Sequence, residues 1–197
     1  GWGGRAGGGI RGQLIQRNSG ACLWSRGEEL INAQFPELIE MAASLPDDTV
    51  LDGEVICWGA EDERPRPFSD LQRRLGRKRV GRKLRQDCPA CFVAYDLLES
   101  RGEDRRNSPL DERLAAMNAL LASMDKARSA GQLRISAGEQ LSTWDDLATL
   151  RQQAVREGAE GLMLKQRQSP YLSGRKRGHW WKHKRDPMTL DAVLIYA

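Results

Sequence analysis

After a start of nine residues that contains six glycines and no apolar pattern, the chain alternates apolar and polar positions over residues 11–17 and 21–25, with Asn18, Ser19 and Gly20 between. Period-two alternation interrupted by a turn cluster predicts two short strands joined as a hairpin, with order beginning at about Ile10. Leu30, Ile31, Phe35, Leu38, Ile39, Ala42 and Leu45 then recur at helical spacing, with Pro36 beginning or interrupting part of that helix and Pro46 and Asp47 ending it. Strands are predicted at 50–58, 91–98, 161–166, 180–184 and 191–196, and a short helix at 69–75 leads into a basic loop. Another helix should open with Ser108 as N-cap, Pro109 at its first position and Asp111 in its first turn, burying Leu110, Leu114, Met117, Leu120 and Leu121. A further one opens in the same way at Ser142 with Asp145 and closes at Gly158. Strands and helices mix without βαβ alternation, so the expected class is α+β with largely antiparallel sheets.

Composition narrows this picture only slightly. With 197 residues, 40% hydrophobic and 29% charged, the chain can bury one sizeable core. No apolar run approaches the roughly eighteen residues of a membrane helix, and no charged lead precedes an apolar stretch, so a soluble, cytoplasmic protein is expected. Cys22, Cys57, Cys88 and Cys91 provide one CxxC and no second pair, a pattern of buried or reduced thiols rather than a zinc site.

The net charge of +4 does not by itself identify a nucleic-acid binder. Its distribution says more: eight of the thirteen residues from 73 to 85 are basic, Arg77, Lys78, Arg79, Arg82 and Lys83 among them, and Arg175, Lys176, Arg177, Lys182, Lys184 and Arg185 form a second group. Single runs of this kind are usually solvated faces. Two of them beside a phosphate-handling pattern favour a polyanion partner.

Four segments carry that pattern. LDGEV at 51–55 sets Glu54 in an apolar strand, as a surface or paired residue or as a ligand for a metal or a ribose hydroxyl. FVAYDLL at 92–98 places Tyr95 where its ring could stack on a base or pack in the core. In EGLMLK at 160–165, alternation groups Glu160, Leu162 and Leu164 against Gly161, Met163 and Lys165, from which Lys165 could reach a phosphate. In WWKHKRDP at 180–187, Lys182 and Lys184 share one face, and Trp181 and His183 the other. Two neighbouring lysines repel unless an anion lies between them, which makes the pair a candidate phosphate clamp; His183 reads as a packed strand residue.

The order and spacing of these segments, together with Ser25 and Arg26, resemble the motifs of covalent nucleotidyltransferases, specifically the adenylation domain of bacterial-type ATP-dependent DNA ligases, from about Ile10 to the end of the chain. The resemblance implies an ATP-grasp-like nucleotidyltransferase domain of two largely antiparallel sheets flanked by helices. That domain would span residues 1–186 and be incomplete at its N-terminus. Residues 187–197 would then hold the hinge, beginning at Asp186 and Pro187, and the first strand of a truncated OB-fold domain.

In such enzymes the lysine of a KxDGxR motif attacks the α-phosphate of ATP, AMP passes to the 5′-phosphate of a nick, and the neighbouring 3′-hydroxyl seals the strand. The implied cofactors are ATP and Mg²⁺, and the implied partner is nicked double-stranded DNA. The protein is expected to be a monomer acting at the bacterial nucleoid in replication, repair or recombination. By resemblance, Glu54 contacts ribose or metal, Tyr95 stacks on adenine and Glu160 is the second metal-side carboxylate. Lys182 and Lys184 contact the α-phosphate and stabilise its transition state. Arg11 matches the motif's arginine and Arg26 one that contacts ribose or the DNA end; Lys165 is a weaker match. Arg77, Lys78, Arg79, Arg82 and Lys83 are candidates for DNA binding.

The departure lies at the nucleophile. Counting back from Arg11, the motif's lysine falls at Ala6 and its aspartate at Gly8, so the chain as written should not form the enzyme–AMP intermediate. Either the start is a genuine or engineered inactive one, or ill-defined residues have been written as glycine and alanine. The second is preferred, because six glycines in nine residues would weaken a strand that ought to support the site. The alternatives are an RNA ligase or capping-type nucleotidyltransferase, separable by substrate, and a non-catalytic nucleic-acid-binding module, which would bind DNA but no nucleotide.

Overall fold

The computed structural model describes residues 2–6, 8–136, 138–141, 143–156, 161–174 and 178–184, with the backbone alone at 2–6, 139, 140, 155, 161 and 184. The expected hinge and the strand at 191–196 therefore lie outside the described residues.

Sheet formation begins earlier than the glycine-rich start suggests, because β1 (Trp2–Ala6) is a strand. The hairpin follows as β2 (Ile10–Arg17) and β3 (Gly20–Ser25). A 3-10 turn (Asn32–Gln34) precedes α1 (Pro36–Ala42), which Pro36 opens. Then come β4 (Thr49–Cys57), α2 (Phe68–Leu75), α3 (Arg82–Asp87), β5 (Ala90–Ser100), β6 (Glu103–Asp104), α4 (Leu110–Ala122) and α5 (Asp125–Ser129). The described chain ends with β7 (Leu133–Ile135), β8 (Gly138–Gln140), α6 (Trp144–Arg156), β9 (Gly161–Lys165) and β10 (Trp180–Lys184). The basic loop is thus partly helical, since α3 occupies its second half.

Two helix starts differ from expectation. In α4, Pro109 takes the N-cap position and makes no side-chain cap bond. Ser108 instead offers its carbonyl to the Arg113 guanidinium. In α6 the cap is Thr143, whose Oγ1 accepts from the Asp146 N–H at 3.1 Å while Asp146 accepts from the Thr143 N–H at 2.8 Å, a reciprocal capping box.

The strands form one sheet in the order β3-β2-β4-β5-β6 with β7 beside β5, and a second in the order β10-β9-β1-β8. Every pairing is antiparallel except β5 with β7. One face of the larger sheet (Leu14, Leu51, Val55, Phe92, Ala94, Leu97) packs against Phe35, Leu38, Met41, Leu71, Met117 and Leu121 from the helices and the turn before α1. A smaller core joins Leu162 and Leu164 of β9 to Leu150 and Ala154 of α6. Helices thus cover the outer face of each sheet, and Lys165 on the other face of β9 meets Tyr95 on β5. Among the described residues, no helix is long and apolar enough to cross a membrane.

Candidate active site

The candidate site is built on an irregularity in the pairing of β4 with β5. Asp52 opposes Asp96 and Gly53 opposes Ala94, so Tyr95 is an extra residue without a partner on β4. A bulge of this kind lets two consecutive side chains leave the sheet on one side. Tyr95 reaches the Glu54 carboxylate with its hydroxyl, while Asp96 meets Arg113. Gly53 lets β4 lie close against β5 beside the bulge: a Cβ there would lie 2.4 Å from the Val93 carbonyl oxygen and 2.6 Å from Phe92 Cζ on the core side. Arg11 on β2 is directly opposed to Glu54, which brings three of the site residues expected from sequence together.

The charges inside are paired. Arg11 donates to Asp52 at 2.8 Å, and the Tyr171 hydroxyl reaches the same oxygen at 3.2 Å. Burial opposes the charge of Arg11, yet Asp52 and Tyr171 hold its pKa above the ordinary arginine value. Arg113 and Asp96, both with wholly buried side chains, form a two-pronged pair at 2.8 and 2.9 Å, and Arg113 also donates to the Ser108 and Ser169 carbonyls. Burial first, and the Glu54 carboxylate second, raise the Tyr95 phenol, so it keeps its proton and donates to Glu54.

Lys165 enters from the second sheet, its ammonium 4.2 Å from the Trp180 ring centre and 6.0 Å from that of Tyr95. Burial lowers its pKa from 10.5 to about 8, against the opposing pull of Asp96 and Asp52. Registers then extend a row of positions along this sheet. Trp180 opposes Lys165, which opposes Trp2; Lys182 opposes Met163, which opposes Gly4; Lys184 opposes Gly161, which opposes Ala6. Lys182 is exposed and one step along that row from Lys165. The Lys184 and Ala6 side chains and all of Glu160 lie outside the described residues, as do Arg175, Lys176, Arg177 and Arg185.

Gly8 and Gly9 occupy the turn into β2. A Cβ on Gly9 would lie 2.4 Å from both the Val55 carbonyl oxygen and Ile56 Cγ2, whereas one on Gly8 would, among the described residues, meet Phe68 Cβ alone, at 4.0 Å. Beside the turn lies an open cavity of about 830 Å³ lined by Gly9, Arg11, Ser25, Arg26 and Leu75, and the Arg26 N–H donates to the Arg11 carbonyl at 2.8 Å.

From the Leu75 edge the chain continues into the basic stretch, tied down by a 3.0 Å bond from Gln34 Nε2 to the Arg77 carbonyl. Three of its eight cations are structural: Arg74 is wholly buried on Glu37, Arg85 pairs with Glu40, and Arg73 lies 3.8 Å from Asp87. Arg77, Lys78, Arg79, Arg82 and Lys83 are exposed, and among the described residues none of them forms an ion pair. The CxxC pair is not a shared site: Cys88 lies in the main core, while Cys91 packs with Ile56 and Val93 near Tyr95.

Sequence reading passed over Asp52, Asp96, Arg113, Tyr171 and Trp180. The signal was present for three of them. A carboxylate inside an apolar strand demands a cation, and Arg113 sits on the apolar stripe of α4 with Leu110, Leu114 and Met117. Trp180 opens the strand predicted at 180–184, on the face of Lys182, but was given no role there, and Tyr171 comes from a segment whose course no periodicity announces.

Two largely antiparallel sheets with helices on their outer faces, and carboxylate, aromatic and cationic side chains brought together where the sheets meet, define an α+β nucleotidyltransferase domain of the ATP-dependent ligase type. The chain belongs to the ATP dependent DNA ligase domain family, whose model matches residues 8–184. It is similar to a probable DNA ligase of Koribacter versatilis (31% identity, covering 94% of this chain and 35% of the relative) and to a DNA ligase of Natronomonas pharaonis (34%, covering 96% and 33%). The chain thus spans about a third of the length of these curated relatives.

Among solved structures it resembles the ligase domain from M. tuberculosis LigD (TM-score 0.70, 25% identity, covering 93% of this chain and 54% of that one). It also resembles mycobacterial DNA ligase D complexed with ATP and MES (TM-score 0.67, 26% identity, covering 93% and 54%).

Proposed function

We propose that this chain is the ATP-binding adenylation domain of a DNA-joining enzyme and that the cleft between its sheets receives the nucleotide. The supporting observation is the convergence of Arg11, Glu54, Tyr95 and Lys165 from β2, β4, β5 and β9 on one side of the larger sheet. In this reading Tyr95 stacks on adenine, Glu54 takes a ribose hydroxyl, Arg11 and Arg26 line the way to the DNA end, and Lys165, Lys182 and Lys184 face the phosphates. Fixed cations in a cleft of low dielectric stabilise charge that develops on a phosphate more than free ones do in water.

Carboxylate oxygens suit Mg²⁺, which is commonly held by one or two carboxylates together with substrate phosphates. Among the described residues, no group of three or more metal-ligating side chains converges. Glu54, with Glu160 by resemblance, would hold the ion together with ATP, where it would neutralise phosphate charge and orient the leaving pyrophosphate.

Ala6 cannot attack phosphorus, so the chain as written binds ATP without capturing AMP. With a lysine at that position, AMP would pass to lysine and then to the 5′-phosphate of nicked double-stranded DNA, which the exposed cations at 77–83 hold by its backbone.

Equilibrium binding of ATP tests the reading. Saturable binding weakened at least tenfold by Glu54→Ala or Lys182→Ala supports it. DNA binding with no nucleotide binding would leave only a nucleic-acid-binding module.

A further inference from the structure

The Tyr95 hydroxyl is more than the ring's polar end. Stacking needs only a flat aromatic face, which a phenylalanine would supply equally well. The bulge at Tyr95 instead brings the phenol oxygen onto Glu54 Oε2, across from the strand position where Arg11 donates to Asp52 rather than serving Glu54 through that guanidinium nitrogen. Glu54 itself is 6% exposed, so its carboxylate is taken out of water before any ligand arrives and must be oriented by protein groups.

We propose that Tyr95 is a positioning residue for Glu54: its hydroxyl holds the carboxylate in the orientation that receives a ribose hydroxyl, while its ring serves the base. This rests on the ATP-binding reading above and deepens it. A carboxylate already fixed saves the ordering cost that a free side chain would pay on binding, so losing the hydroxyl should weaken ATP by roughly threefold to tenfold.

The test measures equilibrium binding of ATP, 2′-deoxy-ATP and 3′-deoxy-ATP to the unaltered chain, Tyr95→Phe, Glu54→Gln and the double variant, with thermal midpoints as a control for folding. The proposal expects the unaltered chain to prefer ATP over at least one deoxy analogue. Tyr95→Phe should lose affinity for ATP but not for that analogue, and should have no further effect once Glu54→Gln is present. Tyr95→Phe binding all three nucleotides like the unaltered chain would overturn the positioning role and leave the ATP-binding reading intact. Equal loss for every nucleotide would overturn it too, since the hydroxyl would then act on base or fold. An unaltered chain that binds no nucleotide would overturn both.

Discussion

Asp52 and Asp96 are directly opposed on β4 and β5, and each is neutralised by a different arginine: Arg11 from the neighbouring strand and Arg113 from α4. Two carboxylates this close would repel if left bare. The arrangement therefore ties the strand that opens the site and the helix behind it to one spot beside Tyr95. Arg113 extends the tie through Ser169 to the segment leading to Tyr171 and Trp180.

Breaking that tie should cost stability rather than ligand contacts. Arg113→Ala leaves Asp96 buried and unpaired, a loss of about 3–5 kcal/mol. Arg106→Ala, on an exposed pair, should change stability by less than about 1 kcal/mol. Urea unfolding of both variants checks the contrast, and similar midpoints would contradict it.

Lys165 predicts a pH dependence. Its folded pKa, lowered from 10.5 to about 8, means that between those values the unfolded chain holds more protons than the folded one. Stability therefore rises with pH across that window, by up to about 1.4 kcal/mol per pH unit, and the charged form weighs against folding below it. Relative to Lys165→Met, the unaltered chain should gain stability from pH 8 to 10.5. A flat difference would show that the ammonium is not desolvated.

The two glycines before β2 should respond oppositely. Gly9→Ala forces a Cβ into the backbone of β4 and should destabilise by about 1–3 kcal/mol, with weaker ATP binding. Gly8→Ala would meet, among the described residues, Phe68 Cβ at an ordinary 4.0 Å and should stay within about 0.5 kcal/mol. Thermal melts of the pair decide this.

Changing Arg77, Lys78 and Arg79 together to Gln should flatten the dependence of DNA affinity on salt, by about 0.9 in the log–log slope for each phosphate that is no longer neutralised. ATP affinity should not move. An unchanged slope would place the DNA elsewhere on the domain.

How much of this could be read from the chain varies with the physics of each element. The alternation in β2 was clear because one of its faces packs on a core, whereas β4 and β5 showed as apolar runs because both of their faces are largely buried. β1 was invisible because glycine carries no side-chain pattern, and β7 and β8 because three residues cannot show a period. Arg74 read as part of a solvated basic run, since residue type alone favours solvent for it, whereas it is wholly buried. Arg11, Glu54 and Tyr95 were legible from motif spacing, but the bulge that aims Tyr95 at Glu54 depends on pairing between strands about forty residues apart.

By motif resemblance the nucleophile of a ligase-type adenylation domain falls at Ala6, a position in the register row of Gly161 and Lys184. The direct measurement is the intact mass of denatured protein after incubation with ATP and Mg²⁺, for the chain as written and for an Ala6→Lys, Gly8→Asp double variant. Addition of one AMP to the variant and none to the unaltered chain is the predicted result. A variant that binds ATP yet gains no mass, or an unaltered chain that takes up AMP, would contradict the account.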